Sequence, residues 1–448
     1  MSQPVDASRI PELQDVVSIA LAEARRLGAH QADADASLQK GLNVTVRLGE
    51  VETVEYQRDR GMSVTVYFDH RKGSASTGDF SAAAIKESVG KAAAIARYTA
   101  QDECAGLADA ADMAREIPDL DLDFPWDIEP DEAVQLARRC EESGRVLDQR
   151  LSNSEGASVS THRGVRVYGN THGFLQGTAA SSHSVSCVLL AVDGEDMQRD
   201  YWYSAARDPA DIEGVESIGR QAGQRALRRL GATKLGTRKA PVLFAAELAR
   251  GLVGSMLGAI RGGAQYRKSS FLLGAAGQRI LPEFFNVQER PHIRKGLGSS
   301  PFDSEGVATR DRELIRAGVL DGYVMGSYSA RKLGLKTTGN AGGNYNLFVD
   351  AGARTLSSEA LLREMGTGLL VTELMGQGVN GVTGDYSRGA SGFWVENGVV
   401  GYPVHEITIA GNLKDVYQSI VAVGDDVDRR GALQTGSILI GEMMIAGE

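Results

Sequence analysis

Long apolar runs are missing from this sequence, and with them the simplest route into a membrane. No stretch approaches the roughly 20 consecutive apolar residues that a spanning helix needs. The opening residues MSQPVDASRI lack the basic and apolar regions of a signal peptide, so the chain is expected to stay in the cytoplasm. Cysteine is scarce. Cys104, Cys140 and Cys187 are far apart and odd in number, which fits reduced thiols and provides no metal-ligand spacing. Positive charge in excess is the third absence. A net charge of −10 and a pI near 5.4 argue against general affinity for nucleic acid phosphates. The one local basic concentration, Arg225, Arg228, Arg229, Lys234, Arg238 and Lys239, reads as a solvated helix face.

What is there reads as an ordinary globular chain, with 42% hydrophobic and 24% charged residues. At 448 residues, two or three domains are expected. Residues 11–27 carry a helical apolar stripe, Leu13, Val16, Val17, Ala20, Leu21, Ala24 and Leu27, stopped by Gly28. Short strands follow at 32–40, 43–48, 51–56 and 62–68, with Asp59-Arg60-Gly61 as one of the turns. An edge at 72–77 and a helix over 81–97 complete a helix–meander–helix module at 1–108. The acidic stretch 109–130 holds three prolines and no sustained period, so it reads as a linker packing through Phe124 and Trp126. The same order repeats at 131–233: a helix to 147, strands at 151–161, 164–170, 174–182, 185–192 and 197–205, and a helix over 211–230. The fold class is therefore α+β.

Residues 238–448 read as a β-rich domain with one central helix. That helix, 247–261, places Gly251, Gly254 and Gly258 near one face, which predicts tight packing against another backbone. Further on, Gly376, Gly378, Gly381 and Gly384 form a glycine-dense loop. A strand at 392–395, the type I′ turn Asn397-Gly398 and a return strand at 399–404 follow. The residues alone suit either a grip on an extended backbone or a glycine-bent sheet edge with no ligand.

Few residue patterns here carry chemistry by themselves. His162, His172 and His183 lie on adjacent predicted strands and could converge, but strand spacing favours polar sheet-face residues. His405-Glu406 begins like a zincin motif, yet Ile409 and Ala410 follow within a strand. The run from Gly262 to Ser270 hints at a phosphate loop and fails it, because Arg267 stands where a glycine is required. Ser329 and Lys332 have the Ser-x-x-Lys spacing, a pattern expected by chance in a chain this long.

The run GVNGVTGDYSRGASGFWVENGVVGYPVHEITIAGNLKD resembles the C-terminal signature of the PmbA/TldD family, in its PmbA (TldE) branch. Similar support comes from residues 304–309, from Leu335 to Gly343 and from Glu373-Leu-Met-Gly376, and the likeness runs from about Ala29 onward. The resemblance implies a cytoplasmic protease of two related subunits, one carrying zinc. In the zinc-bearing TldD branch the corresponding helix holds HExxxH and a later cysteine completes the site. Here the histidine positions fall on Val253 and Gly258 and the glutamate on Gly254, with no cysteine after Cys187. No zinc site is expected in this chain, and the cofactor would be zinc in the partner. The resemblance further implies a TldD-like partner, unfolded peptide substrates, and roles in peptide-antibiotic maturation and antitoxin turnover. Gly376, Gly378, Gly381 and Gly384, with Asn340, Gly342 and Gly343, would hold extended peptide by main-chain hydrogen bonds. A homodimer can form when the partner is missing. The alternatives are a stand-alone metallopeptidase with another site and a non-enzymatic adaptor acting on a complex such as DNA gyrase.

Overall fold

The computed structural model describes residues 4–447. Helix α1 (Ile10–Arg26) takes Pro11 in its first turn, where the missing N–H has no intrahelical partner to lose. Strands β1 (Gln31–Arg47), β2 (Glu50–Phe68) and β3 (Arg71–Thr77) and helix α2 (Ala82–Tyr98) complete the first unit. The second unit is α3 (Pro130–Arg145), β4 (Asn153–Asn170), β5 (Leu175–Asp193), β6 (Asp196–Ala206) and α4 (Val215–Arg228).

Two expectations need correction. The short strands fuse into long ones, and the Asp59-Arg60-Gly61 turn lies inside β2. Its ladder with β1 runs unbroken through Ser37↔Gly61, Leu38↔Arg60 and Gln39↔Asp59, so pairing overrides the local turn signal. The two units also share one sheet, in the order β3-β2-β1-β4-β5-β6, because β1 pairs antiparallel with β4 from Asp33↔Asn170 to Val46↔Ala157. Strand order outward from the central pair is the same in both units.

Alternation along the strands makes this sheet two-faced. One face buries Ala32, Ala34, Ala36, Val64, Val66, Val165 and Val167 under α1 and α2, and Val44, Val159, Val185, Cys187 and Leu189 under α3 and α4. Helices α3 and α4 approach closely at Gly219, where any side chain would overlap the Cys140 carbonyl. The other face carries half-buried polar side chains, among them Asp33, Asp35, Ser37, Ser160 and Ser186, with Arg166 exposed among them.

The remaining chain builds two further sheets. Strand β7 (Arg238–Phe244) leads into α5 (Ala246–Ala259) and α6 (Gly262–Tyr266). Then come β8 (Asn286–Arg290), β9 (Arg312–Arg316), β10 (Val319–Leu320), α7 (Ser327–Lys332), β11 (Asn346–Asp350), β12 (Thr355–Leu356) and α8 (Ser358–Met365). Strands β13 (Gly368–Met375), β14 (Asp385–Glu396) and β15 (Val399–Asn412), helix α9 (Leu413–Gln418), and β16 (Ile420–Gly424), β17 (Leu433–Gln434) and β18 (Ile438–Ala446) end the chain. One sheet runs β10-β9-β8-β11-β17. In the other, β7, β13, β14, β15 and β18 pair in turn and β18 pairs back onto β7, which closes a barrel. Asn397 and Gly398 take φ of 53° and 75°, the type I′ turn their sequence predicts. The hairpin is longer than expected, since 385–389 is strand rather than loop.

The basic cluster is a solvated face only in part: Arg228, Lys234, Arg238 and Lys239 are exposed, whereas Arg225 and Arg229 turn inward. Arg225 donates to Asp200 at 3.0 Å and to Glu247 at 2.7 Å, and Arg229, only 7% exposed, pairs with Glu373 and Asp200. Arg228 and Arg238 lie over the rings of Phe393 and Trp394. Arg225, Arg228 and Arg229 fasten α4 and β6 to the C-terminal half. Arg430 adds a clasp, 3.8 Å over Trp202 and 4.5 Å over Tyr203.

Candidate functional site

Loop 338–346 sits on a buried polar frame that begins in β8. The alternation of Asn286–Arg290 turns Val287 and Glu289 inward, and the Glu289 side chain is fully buried. Its carboxylate accepts from Asn340 Nδ2 at 3.0 and 3.2 Å, from Asn344 Nδ2 at 3.1 Å and from the Tyr345 N–H at 3.0 Å. Asn340 Oδ1 in turn accepts from Arg312 Nη1 at 2.7 Å and Thr338 Oγ1 at 2.8 Å. Both ends of the Asn340 amide are therefore occupied within the chain. Asn340 holds the loop and has no free group for a peptide. Glu289 and Arg312, which sequence reasoning passed over, are the frame.

Gly342 is exposed and Gly343 half-buried, and a side chain at Gly342 would meet Ser304 Oγ. With φ of 99° and 135° they bend the loop over a cavity of about 250 Å³ that also meets Arg166, Tyr168 and Thr178 on the polar sheet face. Asp303 lines the same cavity. Burial pushes its carboxyl up to about 7, against the opposing pull of the N–H groups of Ala341, Glu305 and Val307. Nearby, burial also raises Asp33 to about 7, with Lys72 opposing the shift and Glu305 reinforcing it.

Helix α5 reaches the polar sheet face near its start and the loop at Gly342-Gly343 just past its end. Arg250 near its start reaches Tyr203 Oη at 3.0 Å, and Arg261 just past its end lies beside Gly343. Val253 is buried in the core, so a side chain there points away from solvent. Gly251, Gly254 and Gly258 lie on the opposite, exposed face, and a side chain at any of the three would meet open space. The close packing expected of these glycines is absent within the chain. Val253, Gly254 and Gly258 offer no donor atom, and no group of three or more metal-ligating side chains converges among the described residues. The chain's own residues do not fit zinc at this helix.

The glycine loop projects from the barrel. Gly376, Gly378 and Gly381 are exposed, while Gly384 is buried against Phe271. A side chain at Gly378 would overlap the Ser387 carbonyl, so this glycine serves a close approach to β14. The Gly381 carbonyl accepts from the Phe271 N–H at 3.0 Å. The structure thus brings α5 and Gly342-Gly343 together beside the polar sheet face.

The other candidates disperse. His183 is bound through both ring nitrogens, to Thr161 Oγ1 and to the Phe124 carbonyl at 2.8 Å each, and it anchors the 109–130 segment. His162 contacts Ser160 at 3.2 Å, and His172 sits in a turn. Ser270 Oγ donates to the Ala259 carbonyl at 2.7 Å, and Lys332 pairs with Asp102 at 2.9 Å, which leaves neither a phosphate loop nor a Ser–Lys pair.

Comparison with known proteins adds the family. Three sequence profiles of the PmbA/TldA metallopeptidases match consecutively: domain 1 over residues 32–96, the central domain over 123–230 and the C-terminal domain over 237–447. Metalloprotease PmbA of Escherichia coli O157:H7 is 50% identical over 444 residues, 98% of each chain. The PmbA homolog of Haemophilus influenzae is 47% identical and spans 97% of this chain and 96% of its own. A TldD homolog of the same species is 23% identical over 65% of this chain and 64% of its own. Among solved structures, a Bacteroides thetaiotaomicron protein named as a candidate modulator of DNA gyrase superposes with a TM-score of 0.92 at 27% identity, over 98% of this chain and all of that one. TldE of Thermococcus kodakarensis shares the fold, with a TM-score of 0.83 at 22% identity over 95% and 99% of the two chains. With both units of the shared sheet and the barrel matched in order, this chain belongs to the PmbA/TldD family of metallopeptidases, in its PmbA branch.

Proposed function

We propose that this chain is the zinc-free subunit of a cytoplasmic two-subunit metallopeptidase, acting with a TldD-like partner that carries the metal. One observation supports this reading most directly. The helix that would carry the ligands is intact and exposed, yet its open face is Gly251, Gly254 and Gly258. Three neighbouring glycines cost such a helix roughly 1 kcal/mol each relative to alanine. An exposed stripe kept at that cost fits a surface that another backbone approaches. The polar sheet face and the bent loop at Gly342-Gly343 then form one wall of a chamber for extended, unfolded peptides. Zinc held by the partner would activate water for peptide hydrolysis. This chain's part is to bind and orient the peptide backbone along the glycine-lined wall.

The test is co-purification with a TldD-like protein from the same source, followed by casein and short-peptide cleavage by each chain and by the mixture. Activity confined to the mixture, with stoichiometric zinc only in the partner, is expected. Zinc-dependent cleavage by this chain alone would overturn the assignment. A stable complex with gyrase and none with the TldD-like protein would favour an adaptor role.

A further inference from the structure

A second and larger cavity, of about 820 Å³, lies on the β2–β3 side of the polar sheet face. Its floor holds Tyr67 and Lys72, direct cross-strand neighbours on that face. Its rim is the segment 99–106, tied down across the sheet. Arg71 Nη1 donates to the Thr99 carbonyl at 2.7 Å, and the Asp102 N–H donates to the His70 carbonyl at 3.1 Å. The next residue, Leu107, donates its N–H to Gln31 Oε1 at 2.9 Å. The remaining wall comes from the C-terminal half, as Glu305 and α7. The turn at 303–305 is shared between the two cavities, since Asp303 and Ser304 face the smaller and Glu305 the larger.

Some of the polar groups in this wall are matched within the chain. Asp102 accepts from Tyr328 Oη at 2.7 Å and from Lys332 Nζ at 2.9 Å. Others are left with capacity to spare. Lys72 is exposed and, among the described residues, makes no ion pair or hydrogen bond. Glu305 accepts the Ser327 N–H at Oε2, at 2.8 Å, and its Oε1 has no hydrogen-bond donor among the described residues. His70 Nδ1 lies 2.8 Å from the Ala105 carbonyl, so it carries the proton of the neutral ring and leaves Nε2 as an acceptor. Lys72 and Glu305 thus face one cavity with opposite charges and do not pair with each other. A ligand bearing one charge of each sign satisfies both, whereas a simple anion or cation is opposed by one of them.

We propose that this cavity binds a short peptide by its two free termini, the carboxylate on Lys72 and the ammonium on Glu305 Oε1 and His70 Nε2. Charge-assisted hydrogen bonds of this kind are the stronger class. The volume falls within the roughly 300–1,000 Å³ of ordinary small-molecule sites, more than a single amino acid fills. Thr99, Ala100, Ala105 and Gly106 keep the rim free of bulky side chains, so the termini are read and the residue types between them are not. The choice of a peptide rests on the peptidase reading above, because cleavage releases short chains with free termini. The binding itself belongs to this chain alone.

Isothermal titration calorimetry of the full chain, with no partner present, tests it using trialanine, N-acetyl-trialanine and trialanine amide. Trialanine is expected to bind saturably at one equivalent, and each blocked form about tenfold more weakly or worse. In Lys72→Met the penalty for the amide should vanish while the penalty for the acetyl group stays. Glu305→Gln, whose side-chain oxygen still accepts the Ser327 N–H, should show the reverse pattern. No saturable binding of trialanine, equal binding of all three peptides, or penalties that neither variant removes would each overturn the proposal. Failure of the peptidase assignment appears in the cleavage assay and failure of this site in the calorimetry, so the two are read apart.

Discussion

Asp33 shows how a single residue ties the sheet to its environment. Its folded carboxyl titrates near 7 instead of 3.8, chiefly through burial, with Lys72 opposing and Glu305 and Asp35 reinforcing the shift and Tyr67 donating a hydrogen bond. Between those values the folded chain holds a proton that the unfolded chain has released. The stability from this group is therefore largest below about pH 4, declines as pH rises through about 7, and is level above. Asp303 acts in the same direction. Melting temperature should fall from about pH 5 to pH 8, and Asp33→Asn should flatten that slope. An unchanged slope would show that the carboxyl is ionised in the fold. Residue-level roles were the hardest to read in advance. Asn340 has the composition of a peptide-holding loop residue, and only its partners Glu289 and Arg312, distant in sequence, reveal it as a strut. Glu289 was within reach, because the alternation of Asn-Val-Gln-Glu-Arg puts a carboxylate on the buried side of a strand.

Elements were far more legible. Helices α1 to α5 fall where their apolar periods put them, and the Asn397-Gly398 hairpin lies at the expected residues. Strand continuity was not legible, since an Asp-Arg-Gly triplet has turn propensity whether or not a neighbouring strand overrules it. The α5 glycines were recognised, but the close approach predicted for them does not occur within the chain. This contrast gives a prediction with two readouts. Gly254→Ala places a methyl in open space on an exposed helix, so the isolated chain should gain roughly 0.5–1 kcal/mol in urea unfolding. If another backbone approaches this face, the same methyl lowers the peptidase activity of the mixed subunits. Higher stability with unaltered mixed activity would remove the face from the proposed chamber.

At the scale of the whole molecule, the sequence led to two separate units and a solvated basic cluster; the structure shows one sheet, and within a largely exposed cluster it turns Arg225 and Arg229 into a clasp. Burial of Arg225 and Arg229 depends on Glu247 and Glu373, which lie in the other half of the chain, so no local pattern could announce it. Arg229→Met removes one partner of a largely buried ion pair and should cost about 3 kcal/mol in chemical unfolding. The loss should appear as earlier separation of the two halves, with the sheet's own transition retained. A single unshifted transition would mean that the clasp contributes nothing to docking.

The segment 109–130 is the only covalent bridge between the two halves of the six-stranded sheet, yet it is not what holds them together. The long β1–β4 ladder does that, and His183 grips the segment on the far side. Covalent continuity and structural continuity therefore run along different paths here. A protease cutting once within this bridge would produce two polypeptides that still travel as one particle, and the cut would become visible only on denaturation.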